Sequence, residues 1–292
     1  VSSARDGLAR SVQVRLVRHA KLIGVDPNLV LTRYAAERFL YRLSRSPHAD
    51  RFILKGALLL LAWLGDTLRP TRDANLLGSG DLPDETLVKI VRDVCAVDVE
   101  PDAMRFLPAS VAVSPIREQD AYGGRRVALQ ARLGVARLGV QIDVGIGDAV
   151  TPGPEWLEYP SLIDAPRPRL RAYTRETVVA EKLHGIVLLG ARNSRMKDYF
   201  DLRALAHEGR ADSGVLAEAI RATFMRRGTP LPSGMVFGLR DEFARDSLKQ
   251  SQWSAFLAKN RLQAPAWDVV VREVRSFLEV PLRQALGRRE SA

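Results

Sequence analysis

The stretch from Phe52 to Gly80, FILKGALLLLAWLGDTLRPTRDANLLGSG, constrains the fold of this chain more than any other. It reads as a strand over Phe52 to Leu54, a Lys-Gly turn at Lys55 and Gly56, and a helix over Ala57 to Leu64. Gly65 then breaks the helix, TLRPTR forms a polar loop, and an apolar strand follows over Asn75 to Leu77. Strand, helix and strand in such quick succession commit the region to a small α/β core. They also set one carboxylate, Asp73, at the mouth of a short apolar strand, just after a basic loop. A helix- or turn-capping Asp is the alternative reading of that residue.

The flanking sequence extends this core. Val12 to Leu22 and Asn28 to Leu43 have helical spacing and are separated by GVDP, and Pro83 to Val97 reads as a helix with acidic residues in its first turn. Between Arg126 and Gly147 the period changes to two, which predicts a hairpin with its turn near Val135 to Arg137. Asp143 falls on the second strand of that hairpin, among Val140, Ile142, Val144 and Ile146. A carboxylate in a buried strand is costly unless something pairs it; an edge-strand charge facing solvent is the other reading. Prolines at 152, 154, 160, 166 and 168 predict a loop-rich connection out of the sheet. From Thr174 onward the pattern is helical: Arg175 to Leu189, Ser194 to Glu208, Ser213 to Arg226, then helices near Arg240 to Asn260 and Ala266 to Leu278. The expected fold class is α+β, with a small mixed sheet followed by a largely helical C-terminal half.

A hydrophobic fraction of 46% over 292 residues is enough for a sizeable core and excludes a disordered chain. The longest apolar run, Ala57 to Leu64, is about half the length of a membrane span. The Arg-bearing N-terminus has no apolar segment and no small-residue cleavage site of the signal-peptide kind. Cys95 is the only cysteine, sits in a helical pattern and reads as a small core residue of a reducing compartment. A cytoplasmic protein with no membrane partner is expected. The net charge of +10 is uneven, because residues 1–55 carry +7 of it. Such clustering is the electrostatic footprint of a phosphate-rich partner, with salt-bridged helices as the plainer explanation.

The segment Thr177 to Leu202, TVVAEKLHGIVLLGARNSRMKDYFDL, is the second informative one. Glu181 and Lys182 lie on a helix that ends near Gly190, and Lys197 and Asp198 open another after the capping-type Asn193 and Ser194. Only seven lysines accompany thirty-seven arginines in this chain, so Lys182 and Lys197 stand out. A lysine point charge suits a terminal phosphate. A helix pair with a local ion pair is the bland alternative.

The Phe52 to Gly80 order resembles the first half of the minimal nucleotidyltransferase core. More closely, LKGALLLLAWLGDTLRPTRDANLLG, QIDVGIGD and EKLHGIVLLGARNSRMKDYFDL resemble, in order and rough spacing, the nucleotidyltransferase toxins of the AbiEii/AbiGii family, which includes the MenT-type toxins. The resemblance covers residues 50–205 well and the two ends more loosely. It implies basic N-terminal helices plus the core over residues 1–165, and a helical domain over 166–292 that completes the active site. Gly56 would form the turn that lets a helix N-terminus hold a triphosphate, with Ala57 in place of a common hydroxyl residue. Asp73 would be the leading carboxylate of an Asp-x-Asp motif that binds Mg²⁺ through hard oxygens. Asn75 stands where the family has the second Asp, and Asp143 would be the third metal group. Lys182 would contact nucleotide phosphates, and Asp198 would be a further acidic residue on which activity depends. Arg72 and Lys197 are candidates for neutralising phosphate charge, Arg72 from its adjacency alone.

The implied activity is Mg²⁺-dependent transfer of NMP from an NTP to an RNA 3′ end, most simply the tRNA acceptor end, which blocks translation. The implied partner is a cognate antitoxin. Thr71, two residues before Asp73, is the site at which a kinase-like antitoxin would place an inhibitory phosphate; an ordinary loop Thr is the alternative. A second functional reading is a nucleotide- or RNA-binding protein of the same fold that has lost turnover, with Asn75 as the trace of that loss.

Overall fold

The computed structural model describes residues 2–65, 69–116 and 124–287; Thr67 and Leu68 of the expected polar loop lie outside them. The chain forms two compact units. One comprises Val1–Asp66, Pro70–Gly147 and Glu155–Ala172, the other Thr67–Arg69, Asp148–Pro154 and Tyr173–Ala292.

The first unit opens with α1 (Ser2–Leu22) and α2 (Pro27–Arg45). Asp26 starts α2, its side chain accepting from the Asn28 N–H at 2.9 Å, with Pro27 at the first helical position. β1 (Phe52–Lys55), α3 (Gly56–Leu64), β2 (Asp73–Gly78) and α4 (Asp84–Ala96) follow in the expected order. Next come β3 (Met104–Pro115), β4 (Arg125–Leu133), β5 (Ala136–Ile146), β6 (Glu155–Glu158) and β7 (Arg169–Ala172). Among the described residues the strands form one mixed seven-stranded sheet in the order β3-β4-β5-β2-β1-β7-β6. β2 runs antiparallel to β1 and parallel to β5.

The sheet is wider than the sequence pattern suggests. β3 escapes notice because its register shifts between Leu107 and Ala112, which breaks the period of two. β6 and β7 lie within the proline-rich stretch expected to be loop. They are four residues each, and Pro160, Pro166 and Pro168 fall in the turn between them.

Strand alternation decides what each face does. Ala74 lies opposite Ile142 and Leu76 opposite Val144, and these side chains are buried. Leu76, Ile142 and Val144 meet Phe39 and Leu43 of α2 and Leu87, Ile90, Val91 and Val94 of α4 in one apolar core. The intervening residues of β2 and β5 therefore point to the opposite face.

The second unit is helical: α5 (Arg175–Leu189), α6 (Met196–Glu208), α7 (Ser213–Arg226), α8 (Asp241–Arg245), α9 (Ser247–Asn260) and α10 (Trp267–Gly287). Tyr199, Phe243, Trp253 and Trp267 form its aromatic core, with Tyr199 and Trp267 at 4.7 Å between ring centroids. The expected helix over Arg240 to Asn260 is two, because Asp246 ends α8 and caps α9 through the Leu248 and Lys249 N–H groups. α6 begins at Met196 rather than Ser194, since Asn193 turns its side chain to the Arg195 N–H at 2.9 Å. Among the described residues no helix is long and apolar enough to cross a membrane.

Candidate active site

In the first unit the sequence candidates converge on the polar face of β2 and β5. Asp73 lies opposite Gln141, and Asn75 opposite Asp143, while Lys55 of β1 is the partner of Asn75 on its other side. Register partners and residues two apart share a face, so Asp73, Asn75, Asp143, Gln141 and Lys55 form one polar patch across three strands. Its members are half-buried.

Gly56 brings the start of α3 against this patch. Its φ is +74°, in the left-handed region that glycine adopts without strain, and a Cβ there would sit 2.8 Å from the Asn75 Cβ and 2.9 Å from its Nδ2. The glycine is thus required twice, for backbone shape and for closeness to Asn75. α3 carries no acidic residue in its first turn, and no side chain caps its start. Thr71 and Arg72 lie just before β2, Thr71 half-buried and Arg72 exposed.

Asp143 has the partner that its place on a buried strand demands. Arg126, its register partner on β4, donates from Nε to Oδ1 and from the second guanidinium nitrogen to Oδ2, both at 2.8 Å. Gln141 approaches the same carboxylate at 3.3 Å. Arg126 went unrecognised in the sequence because the hairpin turn was expected too late. The turn is Gly134-Val135, with Gly134 at φ +58°; a turn centred on Ala136 would have set Leu129 opposite Asp143.

The remaining candidates belong to the second unit and form a different kind of cluster. Lys182 Nζ on α5 donates to Asp198 Oδ1 at 2.9 Å and to Asp201 Oδ2 at 2.7 Å, both on α6. Arg195 binds the other Asp198 oxygen at 2.9 Å, and Arg69 grips Asp201 with two bonds of 2.9 Å. Asp198 and Asp201 are buried, and only 14% of the Lys182 side chain is exposed. Burial alone would lower the Lys182 pKa, but Asp198 and Asp201 outweigh it and raise the pKa. Burial alone would likewise raise Asp198, but Lys182 and then Arg195 hold it below the usual carboxylate range. Lys182 and Asp198 therefore stay charged at neutral pH. Lys197 is exposed beside this cluster. Sequence reasoning missed Asp201, whose three-residue spacing from Asp198 was the available signal, and Arg69, which reaches Asp201 from 132 residues away.

The oxygen-only set of Asp73, Asn75 and Asp143 suits a hard cation. Among the described residues no three His, Cys, Asp or Glu side chains converge as a metal site, in keeping with the amide at position 75. Mg²⁺ is commonly held by one or two carboxylates together with substrate phosphates, so this donor set, beside the uncapped start of α3, fits a metal that arrives with a nucleotide.

Two solved structures share the fold. One is the crystal structure of JHP933 from Helicobacter pylori, at a TM-score of 0.51 and 13% identity, covering 91% of this chain and 97% of that one. The other is a proposed nucleotidyltransferase from H. pylori, at 0.52 and 13%, covering 90% and 99%. No protein of curated function matches the chain. Residues 38–279 match the family model described as nucleotidyl transferase AbiEii toxin of type IV toxin–antitoxin systems. The chain belongs to this AbiEii family of nucleotidyltransferase toxins.

Proposed function

We propose that this toxin transfers NMP from an NTP to the 3′ end of an RNA, most simply the acceptor end of tRNA, and thereby blocks translation in the cytoplasm. The observation that carries the reading is the polar face of β2 and β5 set against the glycine start of α3. In it the leading N–H groups of α3 bind the triphosphate, and Gly56 keeps that approach open. Asp73 and Asn75 would hold Mg²⁺, with Asp143 beside them. The metal, when bound, activates the attacking hydroxyl and neutralises charge on the departing pyrophosphate. Arg126 holds Asp143 in position and offsets its charge. Lys182 for nucleotide phosphates, Asp198 as a further acidic group, and Arg72 and Lys197 as neutralising charges enter the reading from the family resemblance.

Incubating the protein with each labelled NTP, Mg²⁺ and total tRNA tests this. Extension at the tRNA 3′ end is expected, and its absence with all four nucleotides would sink the RNA-transfer reading. One observation favours a second reading, a binding protein that has lost turnover: Asn75 removes one carboxylate and Arg126 occupies both oxygens of another. Asn75→Asp separates the two. A modest gain, confined to low Mg²⁺, fits an active enzyme, whereas turnover that exists only in the variant fits a decayed one.

The family also implies an antitoxin. A kinase-like antitoxin acting on Thr71 would add about −1.5 to −2 charge beside Asp73, where NTP phosphates must sit. Thr71→Glu should then abolish transfer. Full activity in that variant, with no phosphate on the protein by mass spectrometry after co-expression with the neighbouring gene, contradicts the idea.

A further inference from the structure

The first unit holds a cavity of about 340 Å³ that shares no residue with the polar face of β2 and β5. It is lined by Tyr41 and Arg45 near the end of α2, Trp156 on β6, and Pro166, Arg167 and Arg169 leading into β7. Trp156 is 58% exposed, whereas Trp253 and Trp267 are almost wholly buried. The guanidinium of Arg169 stands over the Trp156 ring, 5.0 Å from its centroid.

The charge around this ring is one-sided. Three arginines line the cavity and no carboxylate does. Among the nearby acids, Glu158 is engaged by Arg167 at 3.2 Å and Glu100 by the Tyr41 hydroxyl at 2.8 Å. Behind Tyr41 and Pro166 lies Arg38, wholly buried, which stacks on the Tyr41 ring at 5.1 Å and donates to the Pro166 carbonyl at 2.8 Å. Its Nε and Nη1 have no hydrogen-bond partner. Glu37 balances its charge, so the positive character of the cavity comes from the lining arginines.

We propose that this cavity binds single-stranded RNA, with one unpaired base stacked on the Trp156–Arg169 pair and the flanking phosphates at Arg45 and Arg167. An open indole beside arginines is the arrangement that takes a base by its π-face and a backbone by its charge. The volume lies at the low end for ligand pockets, which suits one base. An acidic peptide would use the arginines but has no need of the exposed ring. The choice of RNA rests on the substrate reading above.

The test is fluorescence anisotropy of the intact chain with a fluorescein-labelled single-stranded RNA of about ten nucleotides, without NTP or divalent metal. Trp156→Ala should weaken binding at least fivefold, as loss of a stacked base does, and Trp156→Phe should recover most of it. Arg45→Ala with Arg167→Ala should flatten the slope of log affinity against log salt by about 1.4, two phosphate contacts' worth. The same strand annealed into a duplex should bind more weakly. Wild-type affinity in Trp156→Ala, or equal affinity for the duplex, overturns the proposal. A glutamate-rich peptide that matches the RNA and is sensitive only to the arginine changes overturns it in favour of a protein partner. Because the readout needs no transfer, Trp156-dependent binding without 3′ extension would sink the transfer reading alone, and extension without Trp156-dependent binding would sink this one alone.

Discussion

The polar face of β2 and β5 and the cluster around Lys182 use the same ingredients, aspartates met by arginine or lysine, to opposite ends. Asp143 is partly open to solvent in its pair with Arg126. Asp201 is fully enclosed between Lys182 and Arg69, and Asp198 is 4% exposed between Lys182 and Arg195. An open pair can exchange its arginine for another cation at small cost, while a closed one cannot lose a member without stranding a buried charge. The difference lies in the carboxylates: Asp143 is 16% exposed, Asp198 4% and Asp201 0%.

The largest effect should come from breaking the closed cluster. Lys182→Ala removes the ammonium that Asp198 and Asp201 share, leaving each with its arginine, and should cost about 1.5–3 kcal/mol of stability, as loss of hydrogen bonds to charged groups does, read in urea or thermal unfolding. An unchanged unfolding midpoint, with transfer lost, would return Lys182 to the nucleotide and blur the contrast between the two regions.

Gly56→Ala should come next. It forces a side chain into the left-handed region and against Asn75, so a cost of about 1 kcal/mol or more is expected. NTP affinity, read by equilibrium binding, should fall by more than that stability loss explains. A fully active Gly56→Ala protein would remove the helix start from the site.

Acid sharpens the comparison further. The folded-state pKa of Asp198 is lowered, so its contribution is present above the ordinary value of 3.8 and is lost as pH falls below that toward the lowered one. Lys182 has the opposite sign: its contribution holds below its ordinary value of 10.5 and is lost as pH rises through the raised one. Asp198→Asn should therefore flatten the acid limb of stability against pH. An acid limb of wild-type steepness would show that other carboxylates carry it.

The smallest effect belongs to α1. Replacing exposed Arg15, Arg18 and Lys21 with Ala should lower RNA affinity mildly and reduce its salt dependence. Arg15 already meets Asp164 at 3.4 Å. An unaltered salt slope would make this helix face merely solvated.

Much of the fold was legible in the sequence because it depends on local signals. α5 and α7 lie where helical spacing put them, Arg175–Leu189 and Ser213–Arg226, and the β1-α3-β2 order follows from Gly56, Gly65 and the apolar runs. What failed was whatever depends on register or distant partners. The bulge in β3 erased its alternation, and the hairpin turn at Gly134 hid Arg126. The +7 charge of residues 1–55 reads as one basic face, yet Arg38 and Arg42 are buried against Glu37 and Asp102. Arg69 and Asp201 come together only through the tertiary fold.

The central claim is that the β2 and β5 face performs the proposed transfer. It is tested most directly by Asp73→Ala, measured for 3′ extension of total tRNA and for thermal unfolding on the same preparation. The account predicts extension below detection with an unfolding midpoint close to wild type. Near wild-type extension in the presence of Mg²⁺ would contradict it.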